Sequence, residues 1–351
     1  MKNPAEIFFA QLVDGYQQAV IHSGSAVQCH YQMGGKRVQI GYASQENAQV
    51  FAPTLQHLGC AALPTACQAP DFTILVWDCV STGAPMVRAP WSLADYLPNR
   101  LVRGYCDERF RTLIYPDAAA CLMLDQQACT GIYWRWNIQE TPDHERAAPF
   151  RELFCWWMST QGRYFVHGGA IDGVFLAGVG GVGKSTTALA CLAQGMAWVG
   201  EDYVLLGAEA APQAYSLYCT AKLGPFSLQL LPEFQADVVI PPSAQSAKSI
   251  LNLYPRYAEQ LRSQVKLRAV VLPHIGGQAE TRLIPVTAGQ IFRPLFSSTL
   301  LQIPGTDPAL IRGIANVLRQ LPCYVMEIGR DLNQVVACLR TLSESEETLE
   351  R

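Results

Sequence analysis

Residues 178–185 read Gly178-Val179-Gly180-Gly181-Val182-Gly183-Lys184-Ser185, the complete G-x-x-x-x-G-K-[ST] spacing of a phosphate-binding loop. Such a loop needs a strand to enter it and a helix to leave it. The run Gly173-Val174-Phe175-Leu176-Ala177 has the β-branched and aromatic content of a buried strand, and Ser185 to Ala193 favours helix. The local context therefore predicts an α/β domain that binds a nucleoside triphosphate. Glycines let the backbone wrap around phosphate oxygens, and the first N–H groups of the helix, lacking intrahelical partners, point at the anion. Gly178, Val179, Gly180, Gly181, Val182, Gly183, Lys184, Ser185 and Thr186 are the expected nucleotide contacts. Among them Lys184 supplies a point charge at the β- and γ-phosphates, and the Ser185 hydroxyl is a ligand for the accompanying Mg²⁺.

With 351 residues, half of them hydrophobic, the chain has room for a large core and two domains. A net charge of −3 without a basic stripe argues against a nucleic-acid partner. The twelve cysteines form no C-x-x-C pair and no zinc-type cluster. Cys79, Cys121, Cys155 and Cys191 sit among apolar neighbours and read as reduced core residues. The opening segment carries Glu6 and Asp14 and reads as neither a signal nor a transit peptide, and no apolar run reaches the roughly 18 residues that span a bilayer. A soluble protein of the reducing cytoplasm, without a membrane partner, is the expectation.

Residues 1–145 hold short strand candidates around turn signals: Val27 to Tyr31, the pair Gly34-Gly35, Arg37 to Tyr42, Phe72 to Trp77, Arg111 to Ile114, Ala120 to Leu124 and Gly131 to Trp136. Helix-prone stretches lie near the amino terminus and at Ser44 to Leu58, so an α+β accessory domain is expected. Its exposed strand edges and Tyr133, Trp134 and Trp136 are candidates for recruiting a peptide, or else for core. A boundary is expected near residue 145, before a buried helix at Arg151 to Ser159. Residues 146–342 then form the phosphate-loop domain, with strands at Leu267 to Leu272 and Cys323 to Ile328 and helices at Ala288 to Leu295, Pro308 to Gln320 and Leu332 to Thr341. Residues 343–351 form an acidic tail expected to fray.

Asp202 follows Lys184 by eighteen positions, next to Glu201 and just after the short apolar run Ala197-Trp198-Val199. In an open α/β sheet ligands lie beyond the carboxyl ends of the strands, where such carboxylates reach a γ-phosphate or its metal. Asp202 is the expected catalytic base, and Ser185, Glu201 and Asp202 are the expected metal ligands. The alternative is a solvated acidic turn. His167, ahead of Gly168-Gly169-Ala170, is a further catalytic candidate or else a structural histidine.

The stretch from His167-Gly168-Gly169-Ala170 through the phosphate loop to Gly200-Glu201-Asp202-Tyr203-Val204-Leu205-Leu206 resembles the HPr kinase/phosphorylase family. It is most similar to the HPr-kinase-like proteins of bacterial peptide-modification gene clusters, including lasso-peptide tailoring kinases. The resemblance implies a P-loop kinase domain of the HPr kinase type beside the smaller accessory domain, a proton-accepting Asp202 and a functional His167, with a shorter intervening hairpin. It also implies a homo-oligomer. The chain departs from the pattern in three places. The family's Asp-Asp pair is Glu201-Asp202; its downstream glutamate ligand falls near Ser227, with Glu233 as a substitute; and the glycine-rich signature after that glutamate is missing. HPr itself is therefore not the expected substrate.

Together these features predict an ATP-dependent, Mg²⁺-requiring kinase acting on a hydroxyl, a serine of a peptide or small protein, with Lys222, Lys248 and Arg293 as further sources of positive charge. Two rivals are a nucleotide hydrolase or switch and a nucleotide-binding scaffold for peptides. The first lacks a carboxylate after Leu267 to Leu272, where Pro273-His274 follows. Against the second stand the intact Gly183-Lys184-Ser185 and Asp202.

Overall fold

The computed structural model describes residues 3–60, 69–115, 119–243, 246–305 and 307–344. They form two compact units of mixed α/β structure, residues 1–157 with 303–306 and residues 158–302 with 307–351. Of the tail expected at residues 343–351, Ser343 and Glu344 instead close the last helix, and the rest lies outside the described residues. Among the described residues no helix is long and apolar enough to cross a membrane.

The first unit opens with α1 (Pro4–Ser23), capped by the Asn3 side chain and closed by Gly24 in the left-handed region. Next come β1 (Val27–Met33) and β2 (Lys36–Tyr42), a hairpin whose turn residues Gly34 and Gly35 both have positive φ, as a two-residue turn of this hand demands. They are followed by α2 (Gln45–Phe51), β3 (Phe72–Asp78), α3 (Cys79–Thr82), β4 (Phe110–Tyr115), β5 (Ala120–Asp125), β6 (Thr130–Arg135), α4 (Asp143–Ala147) and α5 (Arg151–Thr160). The six strands make one sheet in the order β1-β2-β3-β6-β5-β4, parallel at β2-β3 and β3-β6 and antiparallel elsewhere. Tyr133 and Trp134, considered for peptide recruitment, belong to the core at 2% and 8% exposure, which leaves Trp136 at 46% as the exposed member of that trio. Tyr133 donates its hydroxyl to Glu145, which also holds the buried Arg135.

The second unit runs β7 (Arg163–His167), β8 (Gly169–Ile171), β9 (Val174–Leu176), α6 (Lys184–Ala193), β10 (Trp198–Gly200), β11 (Tyr203–Gly207), β12 (Gln213–Tyr215), β13 (Thr220–Leu223), α7 (Pro225–Leu230), β14 (Val238–Ile240), β15 (Ser249–Asn252), β16 (Gln264–Lys266), β17 (Ala269–His274), β18 (Arg282–Val286), α8 (Ala288–Leu300), α9 (Pro308–Arg319), β19 (Cys323–Glu327) and α10 (Leu332–Glu344). Its main sheet is β10-β8-β9-β17-β19-β18, with β9, β17 and β19 parallel to one another. A second sheet, β16-β12-β11-β7, is antiparallel, and β13-β15-β14 form a third. Leu189 and Leu192 of α6 and Val335, Val336 and Leu339 of α10 share one apolar cluster with Val174, Leu176, Val271 and Met326 of the main sheet.

Two prolines sit inside elements that the sequence pattern would end. β17 continues through Pro273, which pairs with Met326 of β19. On its other side the β9 ladder stops at Leu176 opposite Val271, so the missing proline N–H forfeits no bond there. Helix α8 continues past Pro294 to Leu300 because Ile291, Leu295, Ser298 and Thr299 keep one face buried.

Helix α9 lies close on β7 at Gly313, where an added Cβ would overlap the Tyr164 ring. Gly313→Ala is expected to lower stability by about 1–3 kcal/mol despite the better helix propensity of alanine. A urea midpoint equal to or above that of the parent protein would refute this reading of the contact.

Candidate active site

The phosphate loop leaves β9 and enters α6, whose first residue is Lys184. Gly178, Gly181 and Gly183 have φ of 125°, 88° and 99°, the left-handed region that only glycine adopts without strain, and this curls the backbone into an anion-binding turn. Gly183 is the N-cap of α6 and brings no capping side chain, so the helix's leading N–H groups keep no cap of their own. The Lys184 ammonium donates to the carbonyls of Gly178 at 2.8 Å and Val179 at 3.0 Å, folded along the loop it serves. Burial pushes this ammonium down from its ordinary pKa, against the opposing charges of Glu201 and Asp202.

A glycine allows the acidic pair to approach. A Cβ on Gly169 would stand 2.9 Å from the Gly200 carbonyl oxygen and 3.1 Å from that of Glu201, so β8 can pass the Gly200-Glu201 backbone only as glycine. Glu201 is buried, and the Ser185 hydroxyl donates to its Oε1 while the backbone N–H of Lys222 donates to Oε2 at 3.3 Å. Burial, reinforced by the charge of Asp202, raises the Glu201 carboxyl to about 7.

Asp202 is placed by strand pairing. In the antiparallel β7–β11 ladder His167 stands opposite Tyr203, which sets the imidazole beside the residue just before it. His167 Nε2 lies 3.0 Å from Asp202 Oδ1, and Lys222 Nζ on β13 donates to Oδ2 at 2.7 Å. Burial acts to raise the Asp202 carboxyl, but the Lys222 ammonium and the His167 bond outweigh it and hold the group well below the usual carboxylate range. Behind the imidazole, Gln302 Nε2 lies 3.2 Å from His167 Nδ1, the Tyr203 hydroxyl donates to Gln302 Oε1, and the backbone N–H of His167 donates to Thr299 Oγ1 at 3.1 Å.

The structure thus brings together Lys184, Ser185, Glu201, Asp202 and His167 as the sequence motifs suggest. It adds Lys222 as a direct partner of Asp202, and the charge of Lys248 reaches Lys184 and Glu201. Arg293 is exposed on α8, and no hydrogen bond or ion pair among the described residues ties its side chain to the site. Ser227, at the position of the missing glutamate, pairs its hydroxyl with Thr186 Oγ1 at 2.8 Å, whereas Glu233 is exposed in the turn Pro232–Asp237. The roles of Gln302, Thr299 and Ser227 have no local signal, since each bond joins residues 41 to 135 positions apart.

Among the described residues no group of three His, Cys, Asp or Glu side chains forms a metal cage. Ser185 and Glu201 in direct contact do offer two hard oxygen donors, the set Mg²⁺ uses when substrate phosphates and water complete its shell.

No protein-family model and no curated protein matches this chain. Among solved structures it is similar to the HPr(Ser) kinase/phosphatase from Coxiella burnetii, with a TM-score of 0.29 and 11% identity over 51% of this chain and 94% of that one. A likeness at that level carries no argument about the chemistry, which rests on the geometry above.

The two carboxyls make opposite contributions to stability against pH. Glu201, raised in the folded state, binds a proton there that the unfolded chain has lost between about pH 4.3 and about 7, so stability falls as pH rises through that window. Asp202, depressed in the folded state, contributes stability present above its unfolded pKa of about 3.9 and lost only in stronger acid. Glu201→Gln in chelator-treated buffer should therefore shrink the difference in unfolding midpoint between about pH 5 and about pH 8. An unchanged difference would mean that Glu201 is ionised across the whole range.

Proposed function

We propose that this protein is a kinase that transfers the γ-phosphoryl group of ATP to a hydroxyl, a serine of a peptide or small protein. The observation that carries the reading is an aspartate, Asp202, clamped between Lys222 and His167 next to the Ser185–Glu201 pair and the lysine of a phosphate loop. In the proposed reaction the loop backbone and Lys184 bind the phosphates and Ser185 and Glu201 hold Mg²⁺, which when bound neutralises phosphate oxygens. The acceptor hydroxyl lies against Asp202. Its oxygen forms the new bond to the γ-phosphorus, the bond to the β-phosphate oxygen breaks, ADP leaves, and the hydroxyl proton passes to Asp202.

A carboxylate held this far below its ordinary range is a weak base, and the proposed chemistry suits that. Phosphoryl transfer of the loose kind demands little proton abstraction before the new bond forms, so the aspartate serves chiefly to orient the hydroxyl and receives its proton late. Lys222 also places a positive charge where the transferred group carries negative charge.

Purified protein with Mg-ATP and the short peptides encoded by neighbouring genes should yield a peptide heavier by one phosphate in an intact-mass measurement. Asp202→Asn should slow transfer by about 10²-fold or more while nucleotide binding changes little, and Lys184→Ala should weaken both. Transfer at the parent rate by Asp202→Asn would remove Asp202 as proton acceptor. Conversion of ATP to ADP with no modified acceptor would favour hydrolysis instead.

A further inference from the structure

The hydrogen bonds behind Asp202 form a chain whose direction is set at its carboxylate end. Asp202 Oδ2 accepts from the Lys222 ammonium at 2.7 Å, and a carboxylate paired in this way only accepts, so His167 Nε2, 3.0 Å from Oδ1, carries the proton and donates it. Nδ1 of a neutral imidazole protonated at Nε2 is an acceptor, and the group facing it at 3.2 Å is the Gln302 amide nitrogen, a donor. The other end of that amide, Oε1, accepts from the Tyr203 hydroxyl. Turning the amide over would set Oε1 against the Nδ1 lone pair, two acceptors face to face. The same short segment grips the histidine a second time, since Thr299 in the last turn of α8 accepts the His167 backbone N–H.

We propose that Gln302 is a positioning residue of the site. Held by Tyr203, its amide nitrogen engages Nδ1 and fixes the plane of the His167 ring, so that Nε2–H meets Asp202 Oδ1 and orients the carboxylate that receives the acceptor hydroxyl. The kinetic consequence rests on the kinase reading. The tautomer does not, because it follows from the hydrogen bonds alone.

The test uses the full chain labelled with ¹⁵N at histidine, with the His167 signals identified by their loss in His167→Gln. Long-range ¹⁵N–¹H correlation reports which ring nitrogen carries the proton. The parent protein should show Nε2–H and a bare Nδ1. Gln302→Glu replaces the donor by an acceptor and should protonate Nδ1 as well, while Gln302→Leu should leave the proton on Nε2 against Asp202. With the acceptor in hand, Gln302→Leu should lower kcat on the order of 10- to 100-fold with little change in KM for ATP. A bare Nε2 in the parent protein, or an Nδ1 that stays unprotonated in a natively folded Gln302→Glu, overturns the tautomer assignment. An unchanged kcat in a natively folded Gln302→Leu overturns the positioning role. If Nδ1 protonates as expected in Gln302→Glu while Asp202→Asn still transfers phosphate at the parent rate, the assigned base falls and the hold of Gln302 on His167 stands.

Discussion

Everything at this site is organised around one half-buried carboxylate that is held below the usual carboxylate range. Taking Asp202 out of water favours its neutral form, and only an opposite charge at hydrogen-bond distance reverses that preference. Lys222 at 2.7 Å provides it, and the His167 N–H on the other oxygen completes the clamp. Glu201, one residue away, has no cation at hydrogen-bond distance among the described residues. Sharing the burial and feeling the Asp202 charge, it is driven toward its protonated form. Two adjacent acids thus have different proton affinities within one short turn.

The architecture supplies rigid supports for that difference. The phosphate loop hangs between a strand and a helix of the main sheet, while His167 and Tyr203 come from the antiparallel sheet and Lys222 from the three-stranded one. Glycines at the crossing points remove side chains where backbones must touch, at Gly169 against Gly200-Glu201 and at Gly313 against Tyr164. The site therefore sits where elements of all three sheets converge.

Much of this was legible in the residues. Phosphate-loop spacing calls for a tight glycine turn and a helix N-terminus, both local requirements, and α6 begins at the lysine of the motif. Asp202 and His167 were legible by position and resemblance, since their placement follows from short strands flanking the loop. The pattern ended the strand at Leu272 and the helix at Leu295, whereas β17 runs on through Pro273 at a vacated ladder edge and α8 runs on from Pro294 to Leu300 along a buried face. It also left Tyr133 and Trp134 open between binding and core, because alternating aromatics look alike in a strand until the covering elements are known.

Local chemistry decided that residues 178–184 make a tight glycine turn running into a helix N-terminus, because backbone conformation and helix ends depend on a few consecutive residues. Tertiary structure alone decided which charge meets Asp202 and what stands behind His167. Lys222 was one of three cations that composition could not rank; strand β13 delivers it to the carboxylate while Arg293 stays exposed on α8. Gln302 lies 135 positions from the histidine it contacts. Hydrogen bonds act over about 3 Å and ignore separation along the chain, so partners brought together by packing leave no trace in local spacing.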